Sequence, residues 1–380
     1  MSWSPDSWRA CLARQQPAWP DRAALEEVLA ELSRQPALVT LADIDALTAR
    51  LAEAQRGDAL LLQAGDCAER LSDTPADTRA MADLVDGLAG EIGAEMAMPV
   101  VRIGRIAGQF AKPRSHALER RGEGALPVWR GDSVNDMAFE ASARPPDPRR
   151  LLAAYDHAAG SLQSLGGTLF TSHEALLLPF EQALIRCEEA SGRWFAGSAH
   201  FLWIGARTLF STSAHVELLR GLANPIGLKC GPDLASDDLL AILDRLNPNR
   251  EAGRITLIAR MGKDRVESAL IPLLRAVRRS GHPVLWCCDP MHGNTMRAAD
   301  GVKRRDMARI AAEACAFVDI VKAEGAHAGG LHLEITHRAV SECDGAGSRD
   351  DCRDPRLNPD QALEIARLFA AARAKMPALA

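Results

Sequence analysis

Short apolar runs alternate with longer amphipathic stretches along most of the chain. Eight such runs recur, at residues 59–63, 99–103, 168–171, 200–204, 225–228, 254–259, 283–287 and 330–335. Each is bounded by Gly, Pro or polar residues and is followed by a stretch with helical spacing, the pattern of a buried strand leading into a helix. Eight strand–helix pairs in a chain of this length predict an α/β fold, a closed (β/α)8 TIM barrel rather than an open doubly wound sheet. No GxGxxG follows a strand and no P-loop is present, which argues against a dinucleotide or nucleotide fold.

Ahead of the barrel, residues 1–55 carry three helical patterns, around 7–14, 21–33 and 41–53. In the second, Pro20 and Asp21 form a start signal and Leu25, Val28, Leu29 and Leu32 fall on one face. The expected organisation is a helical extension over 1–55 and a catalytic barrel over 56–380. Residues 113–148, with Pro127, Pro145 and Pro146, are poorly patterned and predict an excursion over one barrel end. Further helices are predicted over 78–92 and 359–375.

Composition narrows the function classes. The 380 residues are 47% hydrophobic and 25% charged, with a net charge of -5, so no global basic surface recruits nucleic acid or an anionic membrane. The amino terminus lacks a signal-peptide pattern, and no apolar run approaches the roughly 20 residues needed to cross a bilayer. A cytoplasmic protein is expected. The nine cysteines are scattered without CxxC pairs, so neither a disulfide framework nor a zinc ribbon is indicated.

In such a barrel the carboxyl ends of the strands carry the chemistry. Here they deliver Asp66 and Cys67; Arg105, followed by Gln109, Lys112, Arg114 and Ser115; Ser172, His173 and Glu174; Arg207; Lys229; Arg260; Asp289 and His292; and Glu334. One set is cationic: Arg105, Lys112, Arg114, Arg207, Lys229 and Arg260. Guanidinium forks and mobile ammonium groups match phosphate and carboxylate, so their convergence predicts a site for more than one anionic group. The alternation Ile226-Gly227-Leu228-Lys229 places Gly227 on the face of Lys229, leaving room beside it for a ligand. A second set, Cys67, His292, Glu334 and a later acid, offers thiolate, imidazole and carboxylate donors for a divalent metal. Separate core Cys and salt-bridged Glu are the alternative.

Several segments resemble one known family. They are Gly65-Asp66-Cys67-Ala68-Glu69, the run from Gly104-Arg105 to Lys112-Pro113-Arg114-Ser115, Thr171-Ser172-His173-Glu174, Trp203-Ile204-Gly205, Asp289-Pro290-Met291-His292-Gly293-Asn294-Thr295, His332-Leu333-Glu334-Ile335-Thr336 and Asp354-Pro355-Arg356-Leu357-Asn358. Together and in order they resemble the type II, plant-like 3-deoxy-D-arabino-heptulosonate 7-phosphate (DAHP) synthases, over about residues 10–370. The resemblance implies a transferase of the shikimate pathway. It joins phosphoenolpyruvate to erythrose 4-phosphate in a metal-dependent aldol-type condensation that releases phosphate.

Carried over by position, the resemblance implies Cys67, His292, Glu334 and Asp354 as ligands of a divalent ion (Mn, Co, Zn or Fe). It places phosphoenolpyruvate on Arg207, Lys229 and Arg260 at its phosphate and on Arg105 and Lys112 near its carboxylate, with Arg114 and Ser115 taking the aldose phosphate. Lys112, Arg105 and His292 are the expected catalytic residues. A homo-oligomer is expected, with chorismate mutase as a further candidate partner.

The chain departs from the family within Trp203-Ile204-Gly205-Ala206-Arg207-Thr208-Leu209 and just before Asp354. Relatives usually read Trp-Ile-Gly-Glu-Arg-Thr-Arg, whereas Ala206 stands here in place of the Glu, which puts normal turnover in doubt. That substitution leaves open a different acceptor, such as an amino aldose phosphate, and a catalytically weak regulatory barrel. A metallohydrolase fits the convergent cations poorly. Relatives also often carry Cys directly before Asp-Pro-Arg-Leu-Asn; Arg353 stands here, and a reversible Cys67–Cys352 disulfide is the corresponding expectation. The length resembles that of the trimmed secondary-metabolite forms, such as those of phenazine pathways, so reduced feedback inhibition by aromatic amino acids is expected.

Overall fold

All eight apolar runs become strands that pair in parallel and close on themselves. The structure is a computed structural model that describes residues 2–298, 302–344 and 353–374. The strands are β1 (Leu60–Gly65), β2 (Val100–Arg105), β3 (Phe170–Glu174), β4 (Phe201–Ile204), β5 (Ile226–Cys230), β6 (Ile255–Ala259), β7 (Leu285–Cys288) and β8 (Ala328–Glu334). Each neighbours the next, and β1 pairs with both β2 and β8, from Leu61 opposite Gly330 to Gly65 opposite Glu334. The third strand begins later than the apolar run predicts and continues to Glu174, because Ser172, His173 and Glu174 pair with Phe201, Leu202 and Trp203.

Helices follow each strand: α3 (Pro75–Met96), α4 (Arg149–Leu165), α5 (Leu178–Ala183), α6 (Ala214–Leu219), α7 (Ser236–Leu246), α8 (Val266–Ser280), α9 (Met307–Ala323) and α10 (Pro359–Ala374). Before them come α1 (Arg22–Arg34), where Asp21 accepts from the Ala24 N–H at 2.9 Å, and α2 (Leu41–Arg56), opened by a Thr40/Asp43 capping box. Both starts satisfy backbone donors that the first turn would otherwise leave open. Only residues 7–10 of the first helical pattern coil, as a short 3-10 turn that buries Trp8. Beyond it Cys11 is extended and Leu12 bridges to Ser213, so the chain straightens to reach α6.

The barrel interior is layered. At the amino end Leu47, Leu51 and Ala54 of α2 pack with Leu61, Val101, Ile103, Phe201, Ile258 and Leu285 and close the wall. Gly227 belongs to this layer: a Cβ there would meet Phe201 at 2.8 Å and Ile258 at 2.9 Å. The space beside Gly227 is therefore filled by core side chains and not left for a ligand, which corrects the expectation from strand alternation. Residues 113–148 lie over the carboxyl end and contain an antiparallel hairpin, Leu118–Arg121 with Gly124–Pro127.

Candidate active site

Above the apolar floor a polar layer crosses the barrel. Gln63 donates from Nε2 to Ser172 Oγ at 2.9 Å, and its Oε1 lies 2.8 Å from His332 Nδ1. On the other side of the ring, Arg105 Nη1 sits 2.6 Å from His332 Nε2. Arg105 can only donate, so His332 accepts at Nε2 and carries its proton on Nδ1. Burial, with Lys229 and Arg105 nearby, holds the imidazole pKa well below its ordinary value, consistent with this neutral tautomer. Arg105 also donates to Asp66 O at 3.1 Å and faces Glu334 Oε1 at 3.2 Å. The Arg105 guanidinium lies 5.1 Å and the Lys229 ammonium 6.0 Å from the Trp203 ring centre.

The turn after β7 organises the next layer. Asp289 Oδ2 accepts from Lys229 Nζ at 2.6 Å and lies 2.7 Å from His292 Nδ1. Its Oδ1 takes the N–H groups of Met291 and His292, so one carboxylate fixes the turn, the imidazole and the lysine. Burial alone would raise this carboxyl, yet His292 and Lys229 hold it well below the usual range. Burial pushes Lys229 down to about 8 against the pull of Asp289, with Arg105 and Arg260 adding to the depression. Asn294 anchors the turn to Pro290 O and Glu313, and Thr295 accepts from Arg305 Nε at 2.8 Å. Gly293 is required by contact: a Cβ there would stand 2.2 Å from the Gly262 nitrogen.

Cys67, His292, Glu334 and Asp354 line one pocket together with Arg105, Lys112, Arg114, Ser115, Arg207, Lys229 and Arg260. Within it the four donors form two pairs. His292 Nε2 faces Glu334 Oε1 at 3.1 Å, while Lys112 Nζ lies 3.5 Å from Cys67 Sγ and 3.0 Å from Asp354 Oδ2. Among the described residues, no three His, Cys, Asp or Glu side chains are arranged to hold an ion as they stand. Both carboxylates are also paired with basic groups: Arg305 Nη1 is 2.6 Å from Glu334 Oε2 and Lys303 Nζ is 2.6 Å from Asp354 Oδ1. Burial opposes ionisation of Glu334, but His292 and Arg305 hold its pKa well below normal. Burial raises the Cys67 thiol, and Lys112 pulls the other way.

The donor set nevertheless fits a borderline-soft divalent ion. It offers sulfur, imidazole nitrogen and carboxylate oxygens. The Asp289 contact at Nδ1 leaves His292 Nε2 turned into the pocket, the usual support of a ligating histidine. Arg356 holds Asp66 at 2.6 Å and Glu342 at 2.8 Å, tying the segment that carries Asp354 to the end of β1. Cys352 lies outside the described residues.

Loops position the remaining cations. The Glu69 carboxylate accepts the N–H groups of Ala107, Gly108 and Gln109 at 2.8, 2.9 and 2.7 Å, holding Ala107 at a φ of 62°. Further along, the Gln15 amide pairs with both backbone groups of Arg114, taking its N–H at 2.9 Å and donating to its carbonyl at 3.2 Å. Arg207 Nη2 donates to Ser115 Oγ at 2.7 Å.

Sequence reasoning missed Lys303 and Arg305. A basic run ahead of a helix capped by Asp306 reads as a solvated face, whereas Arg305 is buried against Glu334. It also missed Gln15, whose amide reaches across from the extension. Of the groups expected at the third strand's end, His173 turns away from the mouth to Glu181, at 2.8 Å, and Ser172 faces the interior. Glu174 alone lines the pocket.

A sequence model of the Class-II DAHP synthetase family matches residues 3–168 and 165–370. The chain is 46% identical over 376 residues to a probable phospho-2-dehydro-3-deoxyheptonate aldolase of Pseudomonas fluorescens, covering 93% of each chain. It is 37% identical over 432 residues to the phospho-2-dehydro-3-deoxyheptonate aldolase of Streptomyces coelicolor, covering 96% of each. Among solved structures, the Francisella tularensis phospho-2-dehydro-3-deoxyheptonate aldolase superposes with a TM-score of 0.52 at 15% identity, over 96% of this chain and 99% of that one. The barrel, the ordered motifs and the full-length match together place this chain in the Class-II DAHP synthetase family.

Proposed function

We propose that the protein condenses phosphoenolpyruvate with erythrose 4-phosphate, giving DAHP and phosphate as an entry step to the shikimate pathway. One observation carries this reading: all six cations and all four metal-type donors expected from the sequence line a single pocket at the carboxyl end of the barrel. Two multiply charged anions repel each other, and a cationic cradle both offsets that repulsion and aligns them for reaction. Lys229 and Arg260, at adjacent strand ends, with Arg207 on the rim, would take the phosphate of phosphoenolpyruvate. Arg105 and Lys112 would hold its carboxylate over Trp203. Arg114 and Ser115 would hold the aldose phosphate.

Cys67, His292, Glu334 and Asp354 would hold a divalent ion, which when bound polarises the acceptor's aldehyde oxygen. The chain's own residues do the rest. Asp289 keeps His292 in one tautomer and Lys229 in place, and Lys112 moves from its pairing with Cys67 and Asp354 onto the substrate carboxylate. His332, neutral and bonded on both nitrogens, orients Arg105 without adding charge.

The pocket's acceptor preference is tested with an aldose panel on metal-replete protein, with Ala206→Glu alongside. Erythrose 4-phosphate should give the highest kcat/KM in both. Preference for an amino aldose phosphate would move the reading to that acceptor, and turnover confined to Ala206→Glu would make the natural chain a regulatory barrel. A cytoplasmic setting, self-association and contact with a chorismate mutase belong to the same proposal. Among the described residues no helix is long and apolar enough to cross a membrane.

A further inference from the structure

The metal-type donors sit on four segments that are distant in sequence, and two guanidinium groups tie those segments together. Arg356 joins the Asp354 segment to Asp66, beside Cys67. Arg305 reaches three of the four. It stands just ahead of α9 with its side chain fully buried. From Nη1 it donates to Glu334 Oε2 at 2.6 Å and to the carbonyl of Pro355, the residue after Asp354. From Nε it donates at 2.8 Å to Thr295 Oγ1, at the end of the turn that carries His292. The backbone makes the same junction: the Leu357 N–H donates to Glu334 O at 3.0 Å, and the Thr336 N–H to Leu357 O at 2.9 Å.

A buried guanidinium is a costly way to join three segments. Its Nη2 is buried and, among the described residues, has no hydrogen-bond partner. A well-packed apolar side chain of similar volume often serves a fold at least as well as a buried ion pair, so stability alone does not account for the charge. What the guanidinium supplies is a fixed fork, and the fork acts on one oxygen of Glu334. Oε2 is taken by Arg305, whereas Oε1 faces His292 Nε2 at 3.1 Å and Arg105 Nη2 at 3.2 Å. A carboxylate anchored through one oxygen presents the other in a set direction.

We propose that Arg305 is a positioning residue for the metal-type donors. It anchors Glu334 by Oε2, so that Oε1 is the oxygen offered beside His292 Nε2, and it locks the turn after β7 and the Asp354 segment against that carboxylate. The assignment rests on the divalent-ion site proposed above. Charge and geometry act on that site with opposite signs. A positive charge beside the donors repels a divalent ion, so if Arg305 were only a counter-charge to Glu334, its removal would tighten metal binding. If its fork positions the donors, removal loosens metal binding even though a repelling charge has gone.

The test is equilibrium dialysis of the full metal-stripped chain against Mn²⁺ alone, for wild type, Arg305→Met, Arg305→Lys and Thr295→Val, with the fold of each checked by circular dichroism. Arg305→Met removes charge and fork, and Arg305→Lys keeps the charge on a flexible stem without the fork. Thr295→Val keeps Arg305 and removes one of its acceptors. Both Arg305 variants should bind Mn²⁺ about 10- to 100-fold more weakly than wild type, the scale typical of groups that orient ligands. Thr295→Val should lose about 2- to 10-fold, the equivalent of one hydrogen bond. Tighter binding by Arg305→Met, or wild-type binding by Arg305→Lys, overturns the assignment. Should the Arg305 variants not fold, Thr295→Val decides: the stated loss supports the assignment, and wild-type affinity overturns it. A wild-type chain that takes up no Mn²⁺ overturns the metal site itself, and this assignment with it.

Discussion

Lys112 Nζ stands 3.5 Å from Cys67 Sγ, so an ammonium group occupies the flank of the thiol expected to ligate a metal. The same nitrogen reaches Asp354 Oδ2 at 3.0 Å. On the proposed ligand set, a divalent ion and Lys112 would compete for the same thiol and carboxylate, and an ion that took them would free Lys112 for a substrate anion. Chelation followed by re-addition of Mn or Co should remove and restore phosphoenolpyruvate-dependent turnover. Cys67→Ala should hold less metal after equilibrium dialysis than wild type. Unchanged metal content in that variant would remove Cys67 from the ligand set.

Asp289 sits behind His292 and fixes its ring from Nδ1. Outer partners of this kind are typically worth about 10- to 100-fold in metal affinity. Asp289→Asn should lose affinity on that scale while leaving the helices intact by circular dichroism. Because the variant also strips Lys229 of its counter-charge, KM for phosphoenolpyruvate should rise with it.

Lys229 gives the site a basic limit. Its pKa of about 8, against an ordinary 10.5, means that its positive charge is lost as pH rises through about 8. KM for phosphoenolpyruvate should be flat below that value and climb above it, and the climb should be absent in Lys229→Met. The stability sign follows from the same depression. Between about pH 8 and 10.5 the unfolded chain holds this proton while the folded chain does not, so the Lys229 contribution costs stability most below 8 and is relieved as pH rises toward 10.5. Bound phosphoenolpyruvate should move that window upward.

Gln15 links the amino-terminal segment to Arg114, proposed above to hold the aldose phosphate, by pairing with both of its backbone groups. Hydrogen bonds of this type contribute roughly 0.5–1.5 kcal/mol each. Gln15→Ala should raise KM for erythrose 4-phosphate by about 2- to 10-fold on that scale, with little change for phosphoenolpyruvate. An equal rise for both substrates would point to a general loosening of the mouth.

The barrel was legible because its signal is repetitive. Eight buried strands each need a continuous apolar run, and closure then follows from their number and spacing. The strand-end cations were legible for a related reason, since a charged residue directly after an apolar run has few places to go except the rim; Asp354, far from any strand end in sequence, was named only through the family resemblance. Gly227 was misread because alternation gives the face of a residue but not its depth, and at its depth Phe201 and Ile258 already fill the barrel. Arg305 and Gln15 were invisible because their partners, Glu334 and Arg114, are distant in sequence and brought close only by the closed wall. That Glu174 Oε1 is buried without a hydrogen-bond partner among the described residues was equally out of reach, since pairing is a property of packing.

The central claim is that this pocket joins phosphoenolpyruvate to erythrose 4-phosphate. Its most direct measurement is the stoichiometry of a single metal-replete reaction followed at once for inorganic phosphate, phosphoenolpyruvate and DAHP. One phosphate released and one DAHP formed for each phosphoenolpyruvate consumed, only when erythrose 4-phosphate is present, is the predicted result. Phosphate released at the same rate without the aldose, or no DAHP with it, would contradict the account.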